Sequence, residues 1–133
     1  MLTAFLAKML LLAALAYLAV CLYVFFRQRT MLYHPRAVSE AQMEDLARET
    51  GMSRWLDNAG KPLGWMTREG TEGTPVLIFH GNAGNALGRQ QLIERLRDAG
   101  ASGPIFVADY PGYGSAPGNP TQRSLSATAE RAL

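Results

Sequence analysis

The sequence predicts an α/β domain that follows a single membrane-spanning helix, and three features support this prediction. A long uncharged apolar run lies near the N-terminus, at residues 9–26. Two runs rich in β-branched and aromatic residues, 76–79 and 104–108, each end in a glycine-rich loop, as buried strands commonly do. A helical pattern separates these runs and another follows them. This alternation of strand and helix is typical of parallel βαβ units.

The apolar run Met9 to Phe26 contains 18 residues and is bounded by Lys8 on one side and by Arg27 on the other. As a helix it would reach about 27 Å, close to the thickness of the hydrocarbon core of a bilayer. We therefore expect a single-pass anchor whose partner is the lipid bilayer.

A cleaved signal peptide is the alternative for this run. It would need a shorter apolar core and small residues at a cleavage site. Leu18-Ala19-Val20-Cys21 resembles a lipoprotein cleavage box, but Val20 is bulky where a small residue is required. Cys21 is the only cysteine, so the chain has no internal disulfide.

Basic residues give a slight preference for the orientation of this anchor. Arg27, Arg29 and Arg36 follow the span, whereas Lys8 and the terminal amino group precede it. Since positive charge is retained on the cytoplasmic side, the balance slightly favours a cytoplasmic soluble part.

Local signals set the expected helices and strands outside the loops. Ser39-Glu40-Ala41-Gln42 is a capping box that predicts a helix over 39–50. A turn at 57–60 precedes a short strand at 62–66, and a helix is expected over 87–99, with Arg89 and Arg97 among its outward residues. Asn119, followed by Pro120, is the expected cap of the next helix.

The loop after the strand Val76–Phe79 is the strongest candidate for a site. Val76 to Phe79 do not alternate apolar with polar residues, so we expect the strand to be buried on both faces. Gly81 and Gly84 let the backbone turn tightly and present its N–H groups. A loop that leaves a central strand and enters a helix N-terminus can hold an oxyanion or a phosphate.

Two motifs resemble loops of the α/β-hydrolase superfamily. Phe79-His80-Gly81-Asn82-Ala83-Gly84-Asn85 resembles its strand-3 oxyanion loop, and Asp109-Tyr110-Pro111-Gly112-Tyr113-Gly114-Ser115 resembles its strand-4 loop. Together with Gly118-Asn119-Pro120-Thr121 and Tyr33-His34-Pro35, they are similar to the membrane-anchored, serine-aminopeptidase-like subgroup. The resemblance covers roughly residues 31 to 133. Thr128-Ala129 departs from it, since many members have Asp-Ala there.

The resemblance implies a role for the backbone of the first loop. In acyl transfer, N–H groups stabilise the developing oxyanion, and removing one donor typically raises the barrier by about 3 kcal/mol. Asn82 is the expected donor, through its backbone, and Ala83 is the weaker candidate. The alternative is that Gly81 and Gly84 only turn the chain into a helix capped by Asn82 or Asn85. Both roles can coexist.

Other residues of these loops are expected to support them. His80 is expected to shape the first loop, the alternative being a general base, and Asp109 to anchor the loop containing Gly112 and Gly114. Tyr110 and Tyr113 either line the mouth of a substrate site or serve surface or packing roles.

The catalytic triad of such a hydrolase is absent from the sequence. No G-x-S-x-G nucleophile motif occurs, and the only histidines, His34 and His80, precede the place where the nucleophile would fall. The chain ends at Leu133 within a helical pattern. We therefore expect the N-terminal part of a membrane-anchored serine hydrolase of ester, thioester or amide bonds, inactive alone. Its expected divisions are an anchor at 1–29, a connector with a short helix at 30–56, and the N-terminal part of an α/β-hydrolase domain at 57–133.

Composition argues against several other classes of function. The net charge of +2 is mild and the basic residues are dispersed, so nucleic-acid binding has little support. The glycine spacings in 81–84 and 112–114 do not match the nucleotide-binding patterns. We expect no cofactor and no metal; the partners are the bilayer and, in the complete form, a small acyl substrate.

A non-enzymatic membrane-anchored interaction protein is the alternative function. In that case the final strand of the sequence would lack its next neighbour, and the unpaired N–H and C=O groups at this sheet edge would bind a partner.

Overall fold

The computed structural model describes residues 1–70 and 72–133, which divide into two compact units, Met1–Leu32 and Tyr33–Leu133. The first unit consists of one helix, α1 (Leu2–Leu32), none of whose residues is buried. The helix extends beyond the predicted span 9–26 at both ends. By its length and composition, α1 is suited to cross a membrane.

The second unit contains six strands and three α-helices among the described residues. In chain order these elements are β1 (His34–Pro35), α2 (Glu40–Glu49), β2 (Met52–Leu56), β3 (Pro62–Thr67), β4 (Val76–Phe79), β5 (Ala83–Gly84), a 3₁₀ helix (Ala86–Arg89), α3 (Gln90–Asp98), β6 (Ile105–Ala108) and α4 (Gln122–Ala132). The α/β content predicted from the sequence is therefore present.

The main sheet has four strands in the order β2-β3-β6-β4. β4 and β6 are parallel, as the sequence predicts, and their register pairs Val76 with Ile105 and Phe79 with Ala108. β3, however, runs antiparallel to both β2 and β6, so the sheet is mixed rather than purely parallel. A short turn joins β2 to β3, and such a turn permits only antiparallel pairing.

Strand order corrects two expectations. The final strand of the sequence, β6, lies inside the sheet between β3 and β4, so it is not the edge with a missing neighbour. β4 occupies that edge instead. Phe79 is 40% exposed and only Ile78 of this strand is buried, so the prediction that β4 is buried on both faces is wrong. An edge strand with one open side resembles a buried strand in sequence because its side chains are still apolar.

The helix caps are partly as predicted. Ser39 caps α2, and its capping box with Gln42 is present, which confirms the predicted helix. Thr121, not Asn119, caps α4, because its hydroxyl accepts the N–H of Ser124 while the Ser124 side chain reaches back to the backbone N–H of Thr121. A reciprocal pair satisfies more of the unpaired N–H groups than a single asparagine would.

The core lies between the sheet and the helices α2 and α3. Its buried members are Met43, Ala47, Met52, Trp65, Ile78, Ala86, Leu87, Ile93, Ile105 and Val107. Residues of α2 and β2 belong to this core, and β2 pairs with β3 along its length. The predicted connector at 30–56 therefore extends into the folded unit from residue 33 onward.

Gly64 lies where β3 approaches β6 too closely for a side chain. A Cβ atom there would lie 2.1 Å from the carbonyl oxygen of Val107, whereas one at Gly60, in the β2–β3 turn, would have no neighbour within 4 Å. We expect Gly64→Ala to lower the free energy of unfolding by about 3 kcal/mol or more. The matched Gly60→Ala should lose about 1 kcal/mol, from its positive φ alone. Chemical denaturation followed by tryptophan fluorescence measures both, and equal losses would contradict the close approach.

Candidate functional site

Two loops leave the main sheet at the same end, the carboxyl ends of two neighbouring strands. β4 and β6 are parallel neighbours, so the loop at residues 80–85 and the loop at residues 109–115 both follow carboxyl ends of strands. Ligands of α/β sheets commonly bind outside these carboxyl ends. The two motifs singled out in the sequence are thus brought to one edge of the sheet.

The first loop pairs with the beginning of the second unit. Ala83 and Gly84 form the short parallel strand β5 with His34 and Pro35 of β1, and Gly84 has a φ of 82°. Gly81, Asn82 and Ala83 are exposed. The loop is therefore accessible, and its course is held by backbone pairing as well as by its glycines.

Two successive peptide groups of this loop are held by hydrogen bonds to their carbonyl oxygens. The Gly81 oxygen lies 2.7 Å from Nδ1 of His80, and the Asn82 oxygen accepts from the backbone N–H of His34 and from the Tyr113 hydroxyl, each at 2.9 Å. The described peptide bonds are not cis. In a planar trans peptide the N–H points opposite to the C=O. Holding these two carbonyls therefore sets the directions of the N–H groups of Asn82 and Ala83.

The end of the loop begins a helix. The side chain of Asn85 accepts the N–H of Gly88, so Asn85 is the cap that the sequence offered as one of two choices. Arg89, predicted to face outward, instead donates from Nη2 to the Ala83 oxygen at 2.6 Å. Its guanidinium lies against Gly84, where a Cβ atom would be 3.0 Å from Nη2. Arg97 also turns inward and donates to the oxygens of Ala101 and Gly103.

His80 is a buried residue that supports the loop. It is 6% exposed, and its ring lies 4.5 Å from that of Tyr110 and 5.2 Å from that of Tyr113, measured between centroids. Burial lowers its pKa below the usual range, partly opposed by the contact with the Gly81 oxygen, and Arg89 lowers it further. A neutral imidazole that donates from Nδ1 to Gly81 fits these surroundings. His80 thus contacts the backbone of the first loop from a buried position.

Asp109 is a buried carboxyl group at the end of β6. Its two oxygens accept from Nε1 of Trp65 at 2.8 Å and from the backbone N–H of Ala86 at 3.3 Å. Burial raises its pKa to about 6, and the two hydrogen bonds and the charge of Arg54 oppose this shift. Asp109 was expected to anchor the loop containing Gly112 and Gly114. Its side-chain bonds instead join β3 to the start of the helix after the first loop.

The second loop is held mainly by its own backbone. The N–H of Tyr113 donates to Tyr110, that of Ala116 to Tyr113, and that of Gly112 to Ala116. Gly112 and Gly114 have φ values of 87° and 56°, which favour glycine. Tyr113 is fully buried and Tyr110 is 9% exposed, so Tyr113 has a packing and hydrogen-bonding role in this structure.

The segment at residues 34–38 joins the two loops, a contact that no periodicity or capping pattern in the sequence predicted. It pairs with the first loop through β1, and it meets the second loop through the bonds Gly114 N–H to Arg36 oxygen, 3.1 Å, and Val38 N–H to Gly114 oxygen, 2.9 Å. The only signal in the sequence was the resemblance carried by Tyr33-His34-Pro35. Backbone pairing of this kind has no side-chain pattern of its own, because two or three residues are too few to show a period.

The groups of this site that could take part in chemistry are backbone N–H groups. Within residues 1–70 and 72–133, no group of three or more His, Cys, Asp or Glu side chains is placed to hold a metal ion. Asn82 and Ala83 are exposed, and the held carbonyl groups of Gly81 and Asn82 set the directions of their peptide N–H groups. Such groups can stabilise a negatively charged oxygen.

Comparison with known proteins gives relatives but no family. No protein-family model and no solved structure matches the chain. The chain is similar to the uncharacterized proteins Rv2307c of Mycobacterium tuberculosis strain H37Rv and MT2364 of strain CDC 1551, with 32% identity to each over 124 residues. Each match covers 90% of the chain and 43% of the relative. The chain therefore spans less than half the length of these curated relatives.

Asp109 should make stability depend on pH between about 4 and 6. Its pKa in the folded chain, about 6, lies above the ordinary value of 3.8, so the folded state binds more protons in this window. Its contribution to the free energy of unfolding is therefore complete below about pH 4 and falls as pH rises through 6, by on the order of 3 kcal/mol. Urea denaturation across this range measures it.

The variant Asp109→Asn isolates this contribution. His80 acts in the opposite direction, because its lowered pKa adds stability as pH rises. His80 is unchanged in the variant, so the stability of the wild type relative to Asp109→Asn should decrease from pH 4 to pH 7. Parallel curves for the two proteins would show that Asp109 titrates normally.

Proposed function

We propose that this sequence forms the N-terminal part of a membrane-anchored α/β-hydrolase-like serine hydrolase, which cleaves ester, thioester or amide bonds. The observation that best supports this proposal is the pair of peptide groups after β4, whose carbonyl oxygens are held by hydrogen bonds from His80, His34 and Tyr113. The backbone N–H of Asn82 is the proposed oxyanion donor, and that of Ala83 is the second choice. His80 is a positioning residue, because it acts through the Gly81 carbonyl.

In this proposal the backbone N–H groups stabilise the negative charge that develops during acyl transfer. When a nucleophile attacks an acyl carbonyl, negative charge develops on the carbonyl oxygen, and donors already aimed at it need no reorganisation. A second donor and the nucleophile come, in this class of enzyme, from a turn of the form G-x-S-x-G. More than half the length of the mycobacterial relatives lies outside the match, which leaves room for such a turn in proteins of that size.

The mixed sheet is compatible with this proposal. The loop after β4 begins at the carboxyl end of that strand and leads into a helix. The oxyanion loop of an α/β-hydrolase likewise connects a strand to the helix that follows it. The open edge of β4 offers a place for a further parallel strand. It equally offers a place for another protein, which is the specific support for the alternative of a non-enzymatic interaction protein.

We expect the gene beyond codon 133, read in frame or after a frameshift, to encode G-x-S-x-G. A fluorophosphonate should label the serine of this motif, and no other, in the longer chain.

Asn82→Pro tests the proposed donor. Proline has no backbone N–H, so Asn82→Pro should lower kcat for p-nitrophenyl butyrate on the order of 100-fold or more. Asn82→Ala keeps the N–H and serves as the matched control, while thermal unfolding verifies that both variants are folded.

Absence of the motif in every reading frame would contradict the hydrolase proposal. Turnover with serine labelling in the 133-residue chain alone would contradict the proposal that this chain lacks the nucleophile. Equal activity of the proline and alanine variants would contradict the donor role of Asn82. A large loss in Ala83→Pro with none in Asn82→Pro would transfer the donor role to Ala83 and leave the hydrolase proposal intact.

We also propose that α1 anchors the protein with its soluble part in the cytoplasm. In a Cys21→Ser background, Ser126→Cys places one cysteine on the exposed face of α4. A membrane-impermeant maleimide should label it only after the cells are lysed. Labelling in intact cells would reverse the orientation, and recovery of the protein in the supernatant after carbonate extraction would remove the anchor.

A further inference from the structure

A groove of about 230 Å³ lies along the first turns of α3. Its lining residues are Gly88, Arg89, Gln91, Leu92 and Arg95. Gln91 and Leu92 lie four and three positions before Arg95, so these three side chains share one face of the helix. The groove is smaller than the sites that enclose a drug-sized molecule, and it therefore suits a single polar head group.

The charged side chains that line this groove are two arginines without a counter-ion. In the part of the chain that the structure describes, neither Arg89 nor Arg95 forms an ion pair. Glu94 and Asp98, the acidic residues of α3, do not line the groove. Two like charges that face one small space repel each other, so the groove favours a negatively charged occupant.

Arg89 is held in place by the candidate loop. Its Nη2 donates to the Ala83 oxygen at 2.6 Å, beside Gly84, whose φ is 82°. Nε of Arg89 is buried without a partner, so a ligand in the groove does not reach it. Nη1 is not buried and has no partner among the described residues, and Arg95 is exposed. The cationic groups open to a ligand are therefore Nη1 of Arg89 and the guanidinium of Arg95.

We propose that this groove binds a phosphate monoester group, whose oxygens accept hydrogen bonds from Arg89 and Arg95. A guanidinium presents its N–H groups in a planar fork that matches the oxygens of a phosphate. A phosphate monoester carries a charge of about −1.5 to −2 at pH 7, which balances the two arginines, whereas a carboxylate or a phosphodiester carries a single charge. The site is independent of the proposed hydrolase activity, since it requires neither the Asn82 N–H nor a nucleophile.

Three aryl probes that differ in the charge of their head group test the proposal. The 133-residue chain in phosphatidylcholine nanodiscs is titrated with phenyl phosphate, benzenesulfonate or benzenesulfonamide, and the methyl NMR signals of Leu92 are followed. We expect saturable shifts with phenyl phosphate, about 5-fold weaker binding of benzenesulfonate, and no saturable shift with the uncharged sulfonamide. The methyl groups of Leu63, which does not line the groove, serve as the internal reference.

Two variants test the arginines separately. Arg95→Gln removes an exposed charge and should weaken binding of phenyl phosphate by about 5-fold. Arg89→Gln should weaken it by about 10-fold, because a charge-assisted hydrogen bond is lost. Arg123→Gln is the matched control, because Arg123 is exposed on α4 and does not line the groove. If Arg89→Gln does not fold, the comparison of Arg95→Gln with this control still decides the test.

A second titration identifies the source of the phosphate group. Phosphatidic acid is a lipid with a phosphate monoester, so nanodiscs that contain it are compared with those of phosphatidylcholine alone. A shift of the Leu92 methyl signals that phenyl phosphate no longer increases would assign the groove to a lipid head group. Unchanged Leu92 signals, together with binding of phenyl phosphate, would assign it to a soluble phosphate ester.

The proposal is overturned by any of three results. They are the absence of saturable Leu92 shifts with phenyl phosphate in phosphatidylcholine nanodiscs, equal affinity for phenyl phosphate and either sulfur-containing probe, and equal affinity of Arg95→Gln and Arg123→Gln for phenyl phosphate. None of these results bears on the Asn82→Pro comparison, so the phosphate site and the hydrolase proposal fail separately.

Discussion

The buried carboxyl group of Asp109 connects the parts of the second unit that must keep a fixed relation to one another. It terminates β6, accepts the indole N–H of Trp65 from β3, and accepts the N–H of Ala86 where the helical segment begins. Burial is unfavourable for the charged form, and the two hydrogen bonds offset part of this. One side chain thus couples the middle of the sheet to Ala86, the residue that follows the candidate loop.

The loop is oriented by its own first residue and by two groups outside it. His80 is that first residue, Tyr113 comes from the neighbouring loop, and His34 comes from the segment that follows α1 in the chain. Because a peptide group is planar, each bond to a carbonyl oxygen also fixes the N–H on the opposite side. Such preorganisation is what a site needs if it is to stabilise charge with backbone groups. The exposed glycine-rich loop is therefore better defined than its composition suggests.

The position of β4 at the sheet edge affects both functional alternatives. An edge strand presents unpaired backbone groups, and natural proteins normally cover or disrupt such edges. β4 has neither proline nor charge within it, and its last residue, Phe79, is 40% exposed. A further strand of a longer hydrolase and a strand of another protein are the two kinds of cover that the proposals invoke. A hydrolase would use the backbone N–H of Asn82 on a substrate, whereas an interaction protein would not. The two alternatives therefore differ in chemistry and share the same fold.

The sequence by itself determined the local elements. A capping box placed α2, an apolar run of sufficient length placed α1, and Asp57 placed the β2–β3 turn, where its side chain accepts the N–H groups of Ala59 and Lys61. These signals are readable because each depends on residues within a few positions of one another. The glycine-rich loops were located for the same reason, since positive φ values there demand glycine.

Only the tertiary structure decided which strands are neighbours, which strand is the edge, and which groups meet across the chain. The bond from Trp65 to Asp109 spans 44 residues, and that from Tyr113 to Asn82 spans 31. The sequence predicted Arg89 as an outward residue and included residues 34–38 in a connector. A residue type limits what a side chain can bond to, but the partner is chosen by packing, which brings distant groups together and leaves no period or spacing in the sequence.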